Sequence, residues 1–127
     1  MGEVDVLDRQ LIAELRDIMG PEFPVLVQAY LRDAEARMQE LRTALGTLPS
    51  REDDAAEARD AESARRAAHT LKGSSSNLGA VRVTRLCAEL EELARRRSPV
   101  QGTMLDELEV ALEEAADALA ALLQAAE

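Results

Sequence analysis

The sequence predicts an all-α protein: an antiparallel four-helix up-and-down bundle with a short N-terminal capping helix over one end. Three observations carry this expectation. Alanine, leucine, glutamate and arginine, all strong helix formers, dominate the composition, and β-branched residues are few. Apolar residues return at three- and four-residue spacing through five separate stretches. Gly20-Pro21, Gly46 to Pro49, Gly79 and Ser98 to Gly102 punctuate the gaps between them. The 127 residues are one domain's worth of chain, so residues 1–127 read as a single domain. With aromatics at 2%, its core must be built from Leu, Ala, Val, Ile and Met.

The capping helix is expected over residues 4–19, where Val4, Leu7, Leu11, Ile12, Leu15 and Ile18 share a face. Gly20 stops it and Pro21 starts the next helix, which runs over 21–45. Phe23, Leu26, Val27, Tyr30, Leu31, Ala34, Met38, Leu41 and Leu45 form its apolar stripe, most of which reads as core. Residues 46–50 break the chain. Residues 51–59 are charged and alanine-rich without an apolar face, either a loop or a polar extension of the third helix. That helix is expected over 61–78, N-capped by Asp60, with Ala64, Ala67, Ala68, Leu71, Ser75 and Leu78 inward. Ser74 and Ser75 can be satisfied by local backbone bonds. Gly79 ends the helix as a C′ glycine.

A fourth helix is expected over 81–97, with Val83, Leu86, Cys87, Leu90, Leu93 and Ala94 inward. Arg95, Arg96 and Arg97 suit the negative end of its dipole. Arg82 and Arg85 are expected near the C-terminal end of the third helix. The last helix, over 103–125, carries Leu105, Leu108, Leu112, Ala115, Leu119 and Leu122 at bundle-seam spacing. No Lys or Arg follows Arg97, so the acidic face of this helix reads as solvated, with a partner site as the alternative.

The net charge of −10 opposes binding to nucleic acid or to an anionic membrane. No apolar run approaches the ~20 residues that span a bilayer. The N-terminal Glu3, Asp5 and Asp8 do not read as a signal peptide. Cys87 is the single cysteine, which excludes an internal disulfide and, with one histidine, a zinc site. A cytoplasmic protein is the expectation.

The chemistry concentrates in residues 67–80, Ala-Ala-His-Thr-Leu-Lys-Gly-Ser-Ser-Ser-Asn-Leu-Gly-Ala, which hold the only histidine and the only lysine. On a helix His69, Lys72 and Gly73 stand on one face, with Arg65 and Arg66 one turn earlier and Ser76 about one turn later. A neutral imidazole is a good nucleophile near pH 7. A phosphoryl group on it would need the positive charge that Lys72, Arg65 and Arg66 can supply. Glycine inside a helix costs roughly 1 kcal/mol relative to alanine, a cost best explained by a second molecule approaching there. Taken alone, a histidine on an alanine-rich helix is an ordinary surface or core residue; the whole motif carries the functional reading.

His69-Thr-Leu-Lys-Gly-Ser-Ser-x-x-Leu-Gly-Ala80 resembles the phosphorylation motif of histidine-containing phosphotransfer (HPt) domains, the helical relay modules of bacterial two-component phosphorelays. Pro21-Glu-Phe, Tyr30-Leu-Arg-Asp33, Met38, Leu41 and Leu45 are similar to the second helix of those domains, which supplies much of their receiver-docking surface. The resemblance is strong over residues 67–80 and extends to the helix pattern of nearly the whole chain. It implies that His69 takes a phosphoryl group from the aspartate of one receiver domain and passes it to the aspartate of another. Lys72, Arg65 and Arg66 would stabilise the phosphoryl charge, while Gly73, Ser76 and Thr70 would allow close approach and docking. Glu91 falls where the family often carries Gln or Glu to orient the imidazole; a solvated surface glutamate is the equal alternative. The partners would be receiver domains of a hybrid sensor kinase and of a response regulator. The chain would be a monomeric phosphocarrier, not an enzyme, with no cofactor of its own and Mg²⁺ in the partner receiver. Two rivals stand beside this reading: a non-phosphorylated adaptor bundle, and a histidine-kinase dimerisation domain. Against the latter, Thr70 rather than an acidic residue follows His69, and one chain supplies enough helices.

Overall fold

The structure, a computed structural model, describes residues 6–46 and 54–125. Helices α1 (Arg9–Met19), α2 (Phe23–Gly46), α3 (Asp54–Leu78), α4 (Val81–Arg95) and α5 (Gly102–Ala125) form the expected bundle. A 3₁₀ turn, Gly20–Glu22, joins α1 to α2. α3 packs most closely on α4 and then on α2, and α5 closes the ring against α2 and α4. The cause lies in α3's inner face. Ala61, Ala64, Ala67, Ala68, Leu71, Ser75 and Leu78 are all buried, and small side chains let neighbouring helix axes approach. Phe23, Val27, Leu41, Leu90, Leu108 and Leu119 fill the rest of the core. Among the described residues no helix is long and apolar enough to cross a membrane.

α1 differs from the expected 4–19. Asp8 caps it by accepting from the Leu11 amide at 3.1 Å, and Val4 lies outside the described residues. Ile18, expected on the apolar face, is 82% exposed. It falls at the margin of a stripe centred on Ile12, Leu15 and Met19, on a helix too short to be covered along its whole length. Gly20 ends α1 at φ 55°, a left-handed conformation suited to glycine. Pro21 occupies the 3₁₀ turn, so α2 proper starts two residues later than expected.

α3 begins at Asp54, so Asp60 lies within the helix and is not its N-cap. Of the two readings of 51–59, the polar extension holds from residue 54 onward; residues 47–53 lie outside the described residues. Alanine, glutamate and arginine there favour helix intrinsically, and no breaker intervenes. Gly79 stands at φ 80° behind α3. Its amide donates to Ser76 O and the Ala80 amide to Ser75 O, the two bonds of a Schellman cap.

α4 stops at Arg95 rather than Arg97, because Pro99 disfavours helical geometry at Ser98. Arg97 takes the left-handed position at φ 55°, with its amide on Ala94 O and that of Ser98 on Leu93 O. On α5, Ala111 is fully buried while Leu112 and Leu122 are half-buried, a small rotation from the expected seam. Arg82, in the first turn of α4 just after the end of α3, pairs with Glu114 on α5 at 2.6 Å. Arg85 is exposed.

Ser74 bonds locally, its hydroxyl donating to Leu71 O at 3.2 Å. Ser75 does not. Its hydroxyl is fully buried and lies 2.7 Å from the Tyr30 hydroxyl, tying α3 to α2 through the core.

Candidate functional site

Because Ala67, Ala68 and Leu71 turn inward, the residues between them turn out. His69, Thr70, Gly73 and Ser76 are exposed along the outer face of α3, and Lys72 is half-buried at its α4 edge. The close α3–α4 packing carries Glu91 to the imidazole. Glu91 Oε2 lies 2.8 Å from His69 Nδ1, and Oε1 lies 2.6 Å from Lys72 Nζ. One carboxylate thus bridges the imidazole and the ammonium. It is 17% exposed, whereas the imidazole is 62% exposed. Lys72 above all, and His69 in addition, hold the Glu91 carboxyl below the usual carboxylate range, against the opposing effect of partial burial.

The contact fixes a tautomer. An ionised carboxylate only accepts, so Nδ1 carries the proton and donates it to Glu91. In the neutral ring Nε2 then holds a lone pair, and it has no hydrogen-bond partner among the described residues. Beside it, Gly73 leaves open space: a β-carbon built there meets nothing within 4 Å.

Arg65 and Arg66 are not brought to the imidazole. Arg65 forms a fork on Glu62, Nε at 2.9 Å and Nη2 at 2.7 Å, and Arg66 Nε reaches the same carboxylate at 3.2 Å. These contacts, the Arg65 fork first, bring the Glu62 carboxyl down to about 2. Sequence reasoning missed Glu62, although its three- and four-residue offsets to Arg65 and Arg66 are the spacing of helical ion pairs. Cys87 lies fully buried behind Lys72 and Glu91, and burial pushes its thiol up to about 12. Among the described residues no group of three or more His, Cys, Asp or Glu side chains is placed to hold a metal ion.

An exposed imidazole is thus oriented by a carboxylate on the neighbouring helix of a four-helix bundle. The sequence matches the Hpt domain family over residues 25–126. The fold is also similar to the crystal structure of histidine-containing phosphotransfer protein B (HptB) from Pseudomonas aeruginosa PAO1. The TM-score is 0.80 and the identity 32%, over 96% of this chain and 97% of that one. No curated protein matches significantly. The chain belongs to the Hpt domain family, whose members serve histidine phosphotransfer in phosphorelays with receiver domains and act as phosphocarriers rather than catalysts.

Proposed function

We propose that His69 is the phosphoryl carrier, taking the group from the phosphoaspartate of one receiver domain and delivering it to the aspartate of another. The observation that carries this reading is the Glu91 contact on Nδ1, which leaves Nε2 as the free nucleophilic nitrogen of an exposed ring. The Nε2 lone pair attacks phosphorus in line; the P–N bond forms as the P–O bond to the aspartate breaks and the carboxylate leaves. No proton need depart, because the ring keeps its Nδ1 proton and the positive charge it gains is offset by Glu91. The return step reverses these bond changes on the second receiver. Transfer at this level needs positioning and charge stabilisation more than covalent chemistry. Lys72 is the nearest cation for the phosphoryl oxygens, and Arg65 and Arg66 add positive field from one turn away. Gly73, Thr70 and Ser76 form the open face against which a receiver docks. In this reading Mg²⁺ belongs to the receiver's acidic pocket, the chain acts as a cytoplasmic monomer, and the donor and acceptor are a hybrid sensor kinase and a response regulator.

The test is reconstitution. A receiver domain phosphorylated by acetyl phosphate with Mg²⁺ is mixed with this chain, and label is followed on both. Acid-labile label passing to the wild type but not to His69→Gln supports the reading. Equal labelling of both proteins, or none of either with every receiver of the host, moves the weight to an adaptor bundle.

A further inference from the structure

We propose that Glu62 controls how much positive charge faces the phosphorylated His69, by holding Arg65 firmly and Arg66 releasably. The inference rests on the reading of His69 as the phosphoryl carrier and names a residue that regulates it.

One carboxylate, that of Glu62, takes both arginines. The two contacts are unequal. Arg65 makes a two-pronged fork at 2.9 and 2.7 Å with its side chain 31% exposed. Arg66 makes one contact at 3.2 Å with its side chain 74% exposed. Forked guanidinium–carboxylate pairs are the strong ones, while single exposed pairs contribute little. Arg66 is therefore the cation that another anion can take.

The positions decide which anion. Arg65 and Arg66 precede His69 by four and three residues, so both stand one helical turn from the imidazole. Arg65 leans toward α4, where it also feels the charge of Glu91. Arg66 leans toward α2 and lines, with Arg37, the acidic Glu40 and Asp60, and Thr70, a groove that reaches the residue next to His69. With His69 unmodified, Glu62 offsets part of the charge of the two arginines. A phosphoryl dianion on Nε2 competes with Glu62 for Arg66, while Arg65 stays in its fork. Glu62 is then a positioning residue: it touches no reacting atom and acts through Arg66.

The experiment is a double-mutant cycle on the full chain, labelled at His69 with phosphoramidate. The second ionisation of the phosphoryl group is followed by ³¹P NMR. Glu62→Gln should lower that pKa by roughly half a unit, because it frees Arg66, and loosens Arg65, about one turn away. In an Arg66→Gln background the same change should have less than half that effect. The second-order rate of transfer from a phosphorylated receiver should rise severalfold in Glu62→Gln and lose that gain in the double variant. Melting curves of Glu62→Gln should fall only slightly, by the loss of the partly exposed Arg65 fork, and the protein should stay folded throughout the assay. An undiminished Glu62 effect without Arg66 would mean simple charge removal, and no effect at all would mean no latch; either overturns the inference while leaving the carrier reading intact. Absence of label on His69 would end both.

Discussion

His69 on α3 and Glu91 on α4 meet at 2.8 Å, through Nδ1 and Oε2, so the imidazole is held from behind by a different helix. The contact depends on the bundle packing, because 22 residues of chain separate the pair. It leads to the first prediction. Glu91→Ala should release the ring to the Nε2–H form that free imidazole also adopts, a change visible in ¹⁵N spectra of the side chain. Phosphoryl acceptance should fall about tenfold, the equivalent of roughly 1.4 kcal/mol for a partly exposed charge-assisted bond. Glu91→Gln should recover part of the rate, since its carbonyl still accepts from Nδ1.

Gly73 and Gly79 should answer alanine in opposite ways. At Gly73 a methyl group meets nothing, so Gly73→Ala should stabilise the free bundle by roughly 0.5–1 kcal/mol, raising Tm by roughly 2–4 °C. On the proposed carrier reading the same variant should transfer more slowly, because the methyl group would stand where a receiver docks. Gly79 sits at φ +80°, and a β-carbon there would come within 3.3 Å of Asp8, whose amide donates to Gly79 O at 2.7 Å. Gly79→Ala should lower Tm and loosen α1, costing about 1–2 kcal/mol in backbone conformation alone.

The buried Tyr30–Ser75 hydroxyl pair should show coupling. Removing either hydroxyl leaves the other buried without a partner, so Tyr30→Phe and Ser75→Ala should each cost about 1–3 kcal/mol. The double variant should cost clearly less than their sum, measured by urea denaturation.

Tyr30 also predicts an alkaline transition. It is the only tyrosine, so absorbance reports it cleanly. Burial, partly offset by the Ser75 bond, raises its pKa from 10.0 to about 12. Between these values the folded chain holds a proton that the unfolded chain has lost. Stability is therefore fully present below pH 10.0 and is lost as pH rises toward about 12. Tyr30→Phe should remove this part of the alkaline loss.

Much of this molecule was legible in the sequence because local rules agreed. Gly79 ends α3 where a helix needs a left-handed residue, and the alanines of α3 face inward at helical spacing. Elsewhere a rule beyond the local pattern prevailed. Asp60 has the chemistry of an N-cap, but the helix-favouring stretch before it continued the helix back to Asp54. Ile18 fits a periodic stripe, yet only tertiary packing decides how far a stripe is covered. The site divided in the same way. Residues on one helix, His69 to Gly73, could be placed from spacing. Whether Glu91 faced solvent or the imidazole depended on the rotation of α4 against α3, which spacing does not give. Arg65 and Arg66 looked free for a phosphoryl group, but Glu62 holds both.

The most direct measurement is the site of phosphorylation on the ring. The protein is treated with phosphoramidate, and the product is followed by ³¹P and ¹⁵N NMR before and after a receiver domain with Mg²⁺ is added. The expected product is a single acid-labile phosphoryl group on Nε2 of His69, absent from His69→Gln and discharged to the receiver. Phosphorylation at Nδ1, or no label on the folded protein, would contradict the carrier reading, because Glu91 would then not be holding the ring with Nε2 free.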